Sequence, residues 1–220
     1  MRRVLRDNGL SIVLLSLFLL FWLGQSVAGH REYNSEQEEH NQPQAGYMSY
    51  LGSSHFWEAT AENWESEFFQ MFGYVILTAF LFQRGSSESK DPDKREPVDR
   101  DPRQSKEKDA PGPVRQGGFV LKLYENSLSL VFLLLFVISI IMHAVSGTSE
   151  YNEEQAQHGQ PEQLSVLQYA GTSRFWFESF QNWQSEFLAI AAMVILSIFL
   201  RQRGSPESKP VDSPHHETGA

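Results

Sequence analysis

Two carboxylates stand in the same phrase of this chain. Asn63-Trp64-Glu65-Ser66-Glu67-Phe68 and Asn182-Trp183-Gln184-Ser185-Glu186-Phe187 both read N-W-x-S-E-F, each at the head of an apolar run. On a helix, Asn63 and Glu67 are four residues apart and share one face, as do Asn182 and Glu186. Gln70, Tyr74 and Thr78 continue that stripe in the first copy, where the second has Ala189, Met193 and Ser197. A charge next to hydrocarbon is costly and calls for a partner. The candidates are the neighbouring Asn, the matched Asn–Glu pair, and Gln25 or His143, which hold equivalent positions in their own apolar blocks. Two such acids brought together would hold a proton or a cation, because like charges favour protonation. The bland reading is a Glu that reaches the surface or makes an interhelical hydrogen bond worth ~0.6 kcal/mol.

Other chemistry is thinner. Glu36 and His40 are four residues apart, as are Glu154 and His158, so one helical turn could set either pair on a metal ion. Such pairs in polar loops are usually solvated, and no metal, cofactor or catalytic residue is assigned. His215-His216 lies in a polar tail, and His143 alone cannot provide two haem ligands. The absence of Cys excludes disulfides, Cys-bound zinc, iron–sulfur clusters and thiol catalysis. The sequence contains no Gly-rich phosphate loop, zinc-hydrolase motif or nucleophile elbow. A formal charge of −9 argues against nucleic acid as a partner, which needs a basic surface.

These residues must be positioned by four apolar blocks. Leu10 to Ala28 and Leu128 to Val145 are each about long enough to cross ~30 Å of hydrocarbon at ~1.5 Å per residue. Phe68 to Phe82 and Phe187 to Leu200 reach only ~21–23 Å and span only if their helices begin earlier, near Ala61 and Phe180. The expectation is an all-α fold of four transmembrane helices, at about 10–28, 61–83, 127–145 and 180–202. Trp57, Trp64, Trp176 and Trp183 then fall at the outer headgroup belt, with Arg84 and Arg203 as inner anchors. Asn8 and Asn126 read as N-caps. A cleaved signal peptide would also explain the first block, with its Arg2, Arg3 and Arg6 and its Ser26-Val27-Ala28 end. The same element recurs in mid-chain, where no signal peptide works. A soluble bundle would need polar faces that the first and third blocks lack.

All the Lys and Arg residues except Arg31 and Arg174 fall before the first block, between the second and third, or after the fourth. The positive-inside rule places both termini and the middle linker in the cytoplasm. The linker 86–118 and the tail 205–220 are charged and polar and are expected to be disordered.

The chain also repeats itself. Asn8, Tyr33-Asn34, His40 and Gln42-Pro43 recur as Asn126, Tyr151-Asn152, His158 and Gln160-Pro161, an offset of 118. After one inserted residue the offset becomes 119, and Phe56-Trp57 recurs as Phe175-Trp176. Gln83-Arg84-Gly85-Ser86 and Glu88-Ser89-Lys90 recur as Gln202-Arg203-Gly204-Ser205 and Glu207-Ser208-Lys209. Residues 1–85 and 119–204 are thus expected to be tandem helical hairpins of the same orientation. A pseudo-twofold axis along the membrane normal would relate them.

The N-W-x-S-E-F phrase, with Arg201 to Val211 reading R-Q-R-G-S-P-E-S-K-P-V, resembles a family of functionally uncharacterised bacterial integral membrane proteins. The resemblance covers nearly the whole chain and implies paired membrane halves, but no activity. The expected role is a non-enzymatic structural, accessory or stress-related component of the bacterial inner membrane. The lipid bilayer is its first partner, with a homo-oligomer or another membrane protein as a second. The alternative is a small proton- or cation-coupled channel or transporter using Glu67 and Glu186. More distant is an enzyme with its site at the outer leaflet around Asn63, Glu67, Asn182 and Glu186.

Overall fold

The computed structural model describes residues 2–160 and 163–219; Pro161, matched in sequence to Pro43, lies outside the described residues. Among the described residues every regular element is helical. The long helices are α1 (Arg2–Glu39), α3 (Ser54–Phe80), α6 (Ser127–Gln157) and α8 (Ser173–Leu196). The short ones are α2 (Tyr47–Tyr50), α4 (Gly112–Gln116), α5 (Gly118–Glu125) and α7 (Val166–Tyr169). None of the four long helices contains a proline, so nothing removes a backbone donor or forces a break inside them.

Their ends follow local side-chain chemistry. The amide of Phe56 donates to Ser53 Oγ and that of Phe175 to Thr172 Oγ1, both at 3.3 Å. Each hydroxyl thereby satisfies an otherwise unpaired amide in the first turn, which starts α3 at Ser54 and α8 at Ser173, upstream of the expected 61 and 180. Asn8 sits at a kink in α1 with φ −130°, and Asn126 joins α5 to α6 with φ −115°. Their side-chain amides donate backwards, to Val4 O at 3.2 Å and Lys122 O at 2.9 Å. Asn126 still holds the N-cap position of α6, its carbonyl accepting from Leu130 N at 2.9 Å, but both side chains turn back to the preceding helical turn, and Asn8 marks a kink within α1.

Among the described residues, two helices are long and apolar enough to cross a membrane, Arg3–Glu39 and Ser127–Gln157. Four were expected, and α3 and α8 do not meet this measure of length and hydropathy. The first turns of α3 carry Glu58, Glu62, Glu65 and Glu67, and those of α8 carry Arg174, Glu178 and Glu186. What remains of each helix is too short an apolar run to span by itself.

The chain divides into two compact units, Met1–Ala61 with Ile141–Phe175, and Glu62–Ile140 with Trp176–Ala220. In the first unit Tyr50, Phe56, Ala61, Ala144, Tyr169 and Phe175 are buried with Ser26, Thr60, His143, Ser146 and Thr148. In the second, the buried residues include Leu121, Glu65, Ser66, Ser86, Ser129, Ser139, Ser197 and Lys209. Many other large apolar residues lie outside: Leu10 is 74 % exposed, Phe21 69 %, Leu134 58 % and Leu188 66 %.

The linker and the tail are laid out as turns in the second unit. Gln83 N donates to Ser89 Oγ at 2.8 Å, and Gln202 N to Ser208 Oγ at 2.9 Å. The Q-R-G-S-x-E-S-K phrase therefore closes the same loop twice, with Gly85 and Gly204 at φ 89° and 84°, where a side chain would be strained. Buried Lys209 donates to the carbonyls of Gly85 at 2.5 Å, His215 at 3.0 Å and Glu217 at 2.8 Å, which ties the tail to the first loop. Lys90, its sequence counterpart, instead pairs with Asp99 at 2.7 Å.

Candidate functional site

In the second unit the carboxylates that α3 turns toward α8 are the half-buried Glu62 and the buried Glu65. Asn182 Nδ2 donates to Glu62 Oε1 at 2.6 Å, and Trp183 Nε1 donates to Glu65 Oε1 at 3.1 Å. Glu65 has no exposed surface. The Trp183 ring that serves it packs on Phe69, ring centres 4.5 Å apart, and Phe69 in turn lies 5.0 Å from Phe136. One turn deeper, Gln70 Nε2 donates to the backbone carbonyl of Glu186 at 2.8 Å. Both acids thus receive N–H donors from the facing helix, as buried charge requires.

The residues singled out from the sequence fall partly in this place. Asn182 is in it, as the donor to Glu62. Asn63 and Glu67 are exposed, while Glu186 is half-buried with its backbone carbonyl bound by Gln70. Glu62 and Glu65 were not anticipated, although a signal existed. Glu58, Glu62 and Glu65 stand at i, i+4 and i+7 and therefore share one face of α3. The matched residues Phe177, Gln181 and Gln184 carry no charge.

Gln25 and His143 lie in the first unit. Gln25 Nε2 donates to Thr60 Oγ1 at 3.4 Å, and the fully buried His143 stacks on Phe175, ring centres 4.7 Å apart. Each thus touches the second long helix of its own half. Above them the loops are clasped alike in both halves. Ala45 N donates to Asn34 Oδ1 at 2.8 Å and Asn34 Nδ2 returns a bond to Ala45 O at 3.1 Å. Leu164 N donates to Asn152 Oδ1 at 2.8 Å and Asn152 Nδ2 to Leu164 O at 2.9 Å. The clasps set Tyr50 against Gly29 and Tyr169 against Gly147, so close that an added Cβ would collide with each ring. Tyr169 Oη donates to Glu58 Oε1 at 3.4 Å, and Ser54 Oγ to Glu150 Oε2 at 2.9 Å. Burial, followed by the charges of Glu32, Glu150 and Glu36, pushes the Tyr50 hydroxyl up to about 12.

The expected anchors divide. Trp57 Nε1 donates to Leu51 O at 3.1 Å, and its ring meets Trp22 and Phe56 edge-on. Trp64 is half-buried, and Trp176 is 40 % exposed with its ring 5.4 Å from Phe180. Trp183 serves the interior through Glu65. Arg84 pairs with Asp93 at 2.8 Å, and Arg203 is exposed. Among the described residues no group of three or more His, Asp or Glu is gathered for a metal ion.

Fold and site together define a protein that is all-helical among its described residues, with two apolar helices there long enough to span a bilayer and with Glu62 and Glu65 of α3 paired to donors on α8. The chain matches the family described as Domain of unknown function (DUF6766) over residues 1–220, and it belongs to that family. No curated protein and no solved structure matches it.

Proposed function

We propose that this chain is an integral membrane protein with four crossing helices, serving as a non-enzymatic structural, accessory or stress-related component of the bacterial inner membrane. The observation that carries this reading is the inverted distribution of side chains. Leu, Phe and Val line the outside of α1 and α6, while Ser, Thr, His and Glu share the buried positions with a few apolar residues such as Phe56, Tyr169 and Phe175. In water such an arrangement would leave apolar surface unburied, whereas in lipid it matches the solvent. The helices α3 and α8 cross with their acidic turns paired inside the protein, as the cover over Glu65 allows. Two tandem hairpins of the same orientation, related by a pseudo-twofold axis along the membrane normal, account for the matched Asn clasps and matched Ser–Gln loops. The Lys and Arg distribution puts both termini and the 86–118 linker in the cytoplasm.

Because the chain lacks Cys, single-cysteine labelling tests the topology directly. Ser105→Cys should react with an impermeant maleimide only after the membrane is opened, and Ser35→Cys in intact spheroplasts. Labelling of Ser105→Cys from outside would sink the arrangement.

A second reading has one observation in its favour: of the two matched glutamates, Glu67 is exposed and Glu186 half-buried. Such a pair could carry a proton or cation. Proteoliposomes holding wild type or Glu67→Gln/Glu186→Gln decide the matter. Equal, background-level flux removes the pathway, and flux lost only in the variant removes the purely structural role.

A further inference from the structure

His40 and His158 sit at matched positions of the sequence, and the first unit brings them together with ring centres 5.5 Å apart. Each directly follows the last residue of a long helix, α1 or α6, and the two helices end in the same way. Asn41 N donates to Glu38 O at 3.1 Å and Gln42 N to Gln37 O at 2.7 Å. Gly159 N donates to Ala156 O at 3.1 Å and Gln160 N to Gln155 O at 2.9 Å. Asn41 and Gly159 take φ 56° and 72°. This pairing of six-to-one and five-to-two bonds around a left-handed residue is a Schellman cap, which fixes the backbone carrying each imidazole.

The ring of His158 is oriented as well. Its Nδ1 lies 2.8 Å from the backbone carbonyl of Glu154. A carbonyl only accepts, so Nδ1 carries the proton, and the neutral ring presents its lone pair at Nε2. Metal-binding histidines are commonly set by this second bond. Two imidazoles bound to one metal at ~2.0–2.1 Å with a roughly tetrahedral angle have ring centres about 5–5.5 Å apart. The observed separation fits. Both rings are exposed and so open to solution. They also lie at the C-terminal ends of α1 and α6, where the helix dipoles favour a cation.

We propose that His40 and His158 form a two-histidine site for a borderline divalent transition metal. Water completes the coordination, and the ion links the far ends of α1 and α6. Two imidazoles with open positions follow the usual affinity order, so Cu²⁺ binds more tightly than Zn²⁺. The site is independent of the acids at Glu62 and Glu65.

The test titrates the untagged full-length protein in detergent with Cu²⁺, read by electron paramagnetic resonance, and with Zn²⁺, read by calorimetry. The expected result is one Cu²⁺ bound by two nitrogens. His40→Ala and His158→Ala should each remove one nitrogen from the spectrum and weaken both metals at least tenfold. His215→Ala/His216→Ala, in the tail, should leave binding unchanged. Because both substituted rings are exposed, circular dichroism and gel filtration of the variants should match wild type. Wild-type affinity in either single variant overturns the proposal. So does the absence of a two-nitrogen copper signal in wild type, or loss of binding only in the tail variant.

Discussion

Trp183 donates its indole N–H to Glu65 across 3.1 Å, from a half-buried ring to a carboxylate with no exposed surface. The two helices carry matched phrases, yet the contact is unlike on its two sides, with acid from α3 and donors from α8. Trp183→Phe keeps an aromatic ring against Phe69 and removes the N–H. It should lower stability by about 1–3 kcal/mol, the cost of stripping a donor from a buried acceptor. Thermal unfolding in detergent measures it. Trp176→Phe, at a more exposed ring, should cost less, and equal losses would argue against the Glu65 bond as the cause.

The tight seats of Tyr50 and Tyr169 give a second expectation. A Cβ on Gly147 would lie 2.7 Å from the Tyr169 hydroxyl, and one on Gly29 would strike Tyr50. Gly147→Ala and Gly29→Ala should each destabilise by about 1–3 kcal/mol through overpacking. Gly24, with nothing within 4 Å, should accept Ala at no cost, or gain up to about 1 kcal/mol of helix propensity. Melting temperatures of the three variants should therefore split in sign.

The Asn clasps can be dissected bond by bond. Asn152→Asp keeps an acceptor for Leu164 N and loses the donor to Leu164 O, whereas Asn152→Ala loses both. Hydrogen exchange at the Leu164 amide should rise slightly in the first and at least tenfold in the second, since one buried hydrogen bond is worth roughly 1 kcal/mol or more. Asn34 variants should reproduce the order at Ala45.

Tyr50 sets a limit at high pH. An ordinary tyrosine loses its proton near 10, and Tyr50 in the folded chain near 12. Between these values the unfolded chain has already released the proton and the folded chain has not. The unfolded state then binds fewer protons, so stability falls as pH rises through that window. Tyr50→Phe should flatten this part of the stability curve, as followed by tyrosinate absorbance and denaturant midpoints.

Lys209 is expected to hold the tail. Its ammonium serves the carbonyls of Gly85, Pro214, His215 and Glu217, and Thr218 Oγ1 accepts from Gly85 N at 2.8 Å. Lys209→Met leaves those carbonyls without their charged donor, a loss of about 1.5–3 kcal/mol in local docking. Limited proteolysis should then cut between 211 and 219 while the four long helices stay protected. Lys90→Met, whose partner Asp99 lies at the surface, should not release the tail.

Much of this architecture is written locally. Unbroken runs of Leu, Phe, Val and Ile make α1 and α6 helical and apolar in any environment, because their pattern needs no partner to be read. Ser53 and Thr172 start their helices, and Gly85 and Gly204 close their loops, through bonds within a few residues, so those features recur wherever the phrase recurs. The partners of the acids are different. On α3, Asn63 with Glu67 and Glu62 with Glu65 are both helical pairs of good spacing, and periodicity alone ranks neither first. Which pair turned inward was decided by the rotational setting of α8, which brings Asn182 and Trp183 to Glu62 and Glu65 and leaves Glu67 exposed. The meeting of His40 with His158 across an offset of 118 positions is of the same kind. Contacts between distant segments depend on how helix faces pack, a property of the folded chain that no local stretch carries.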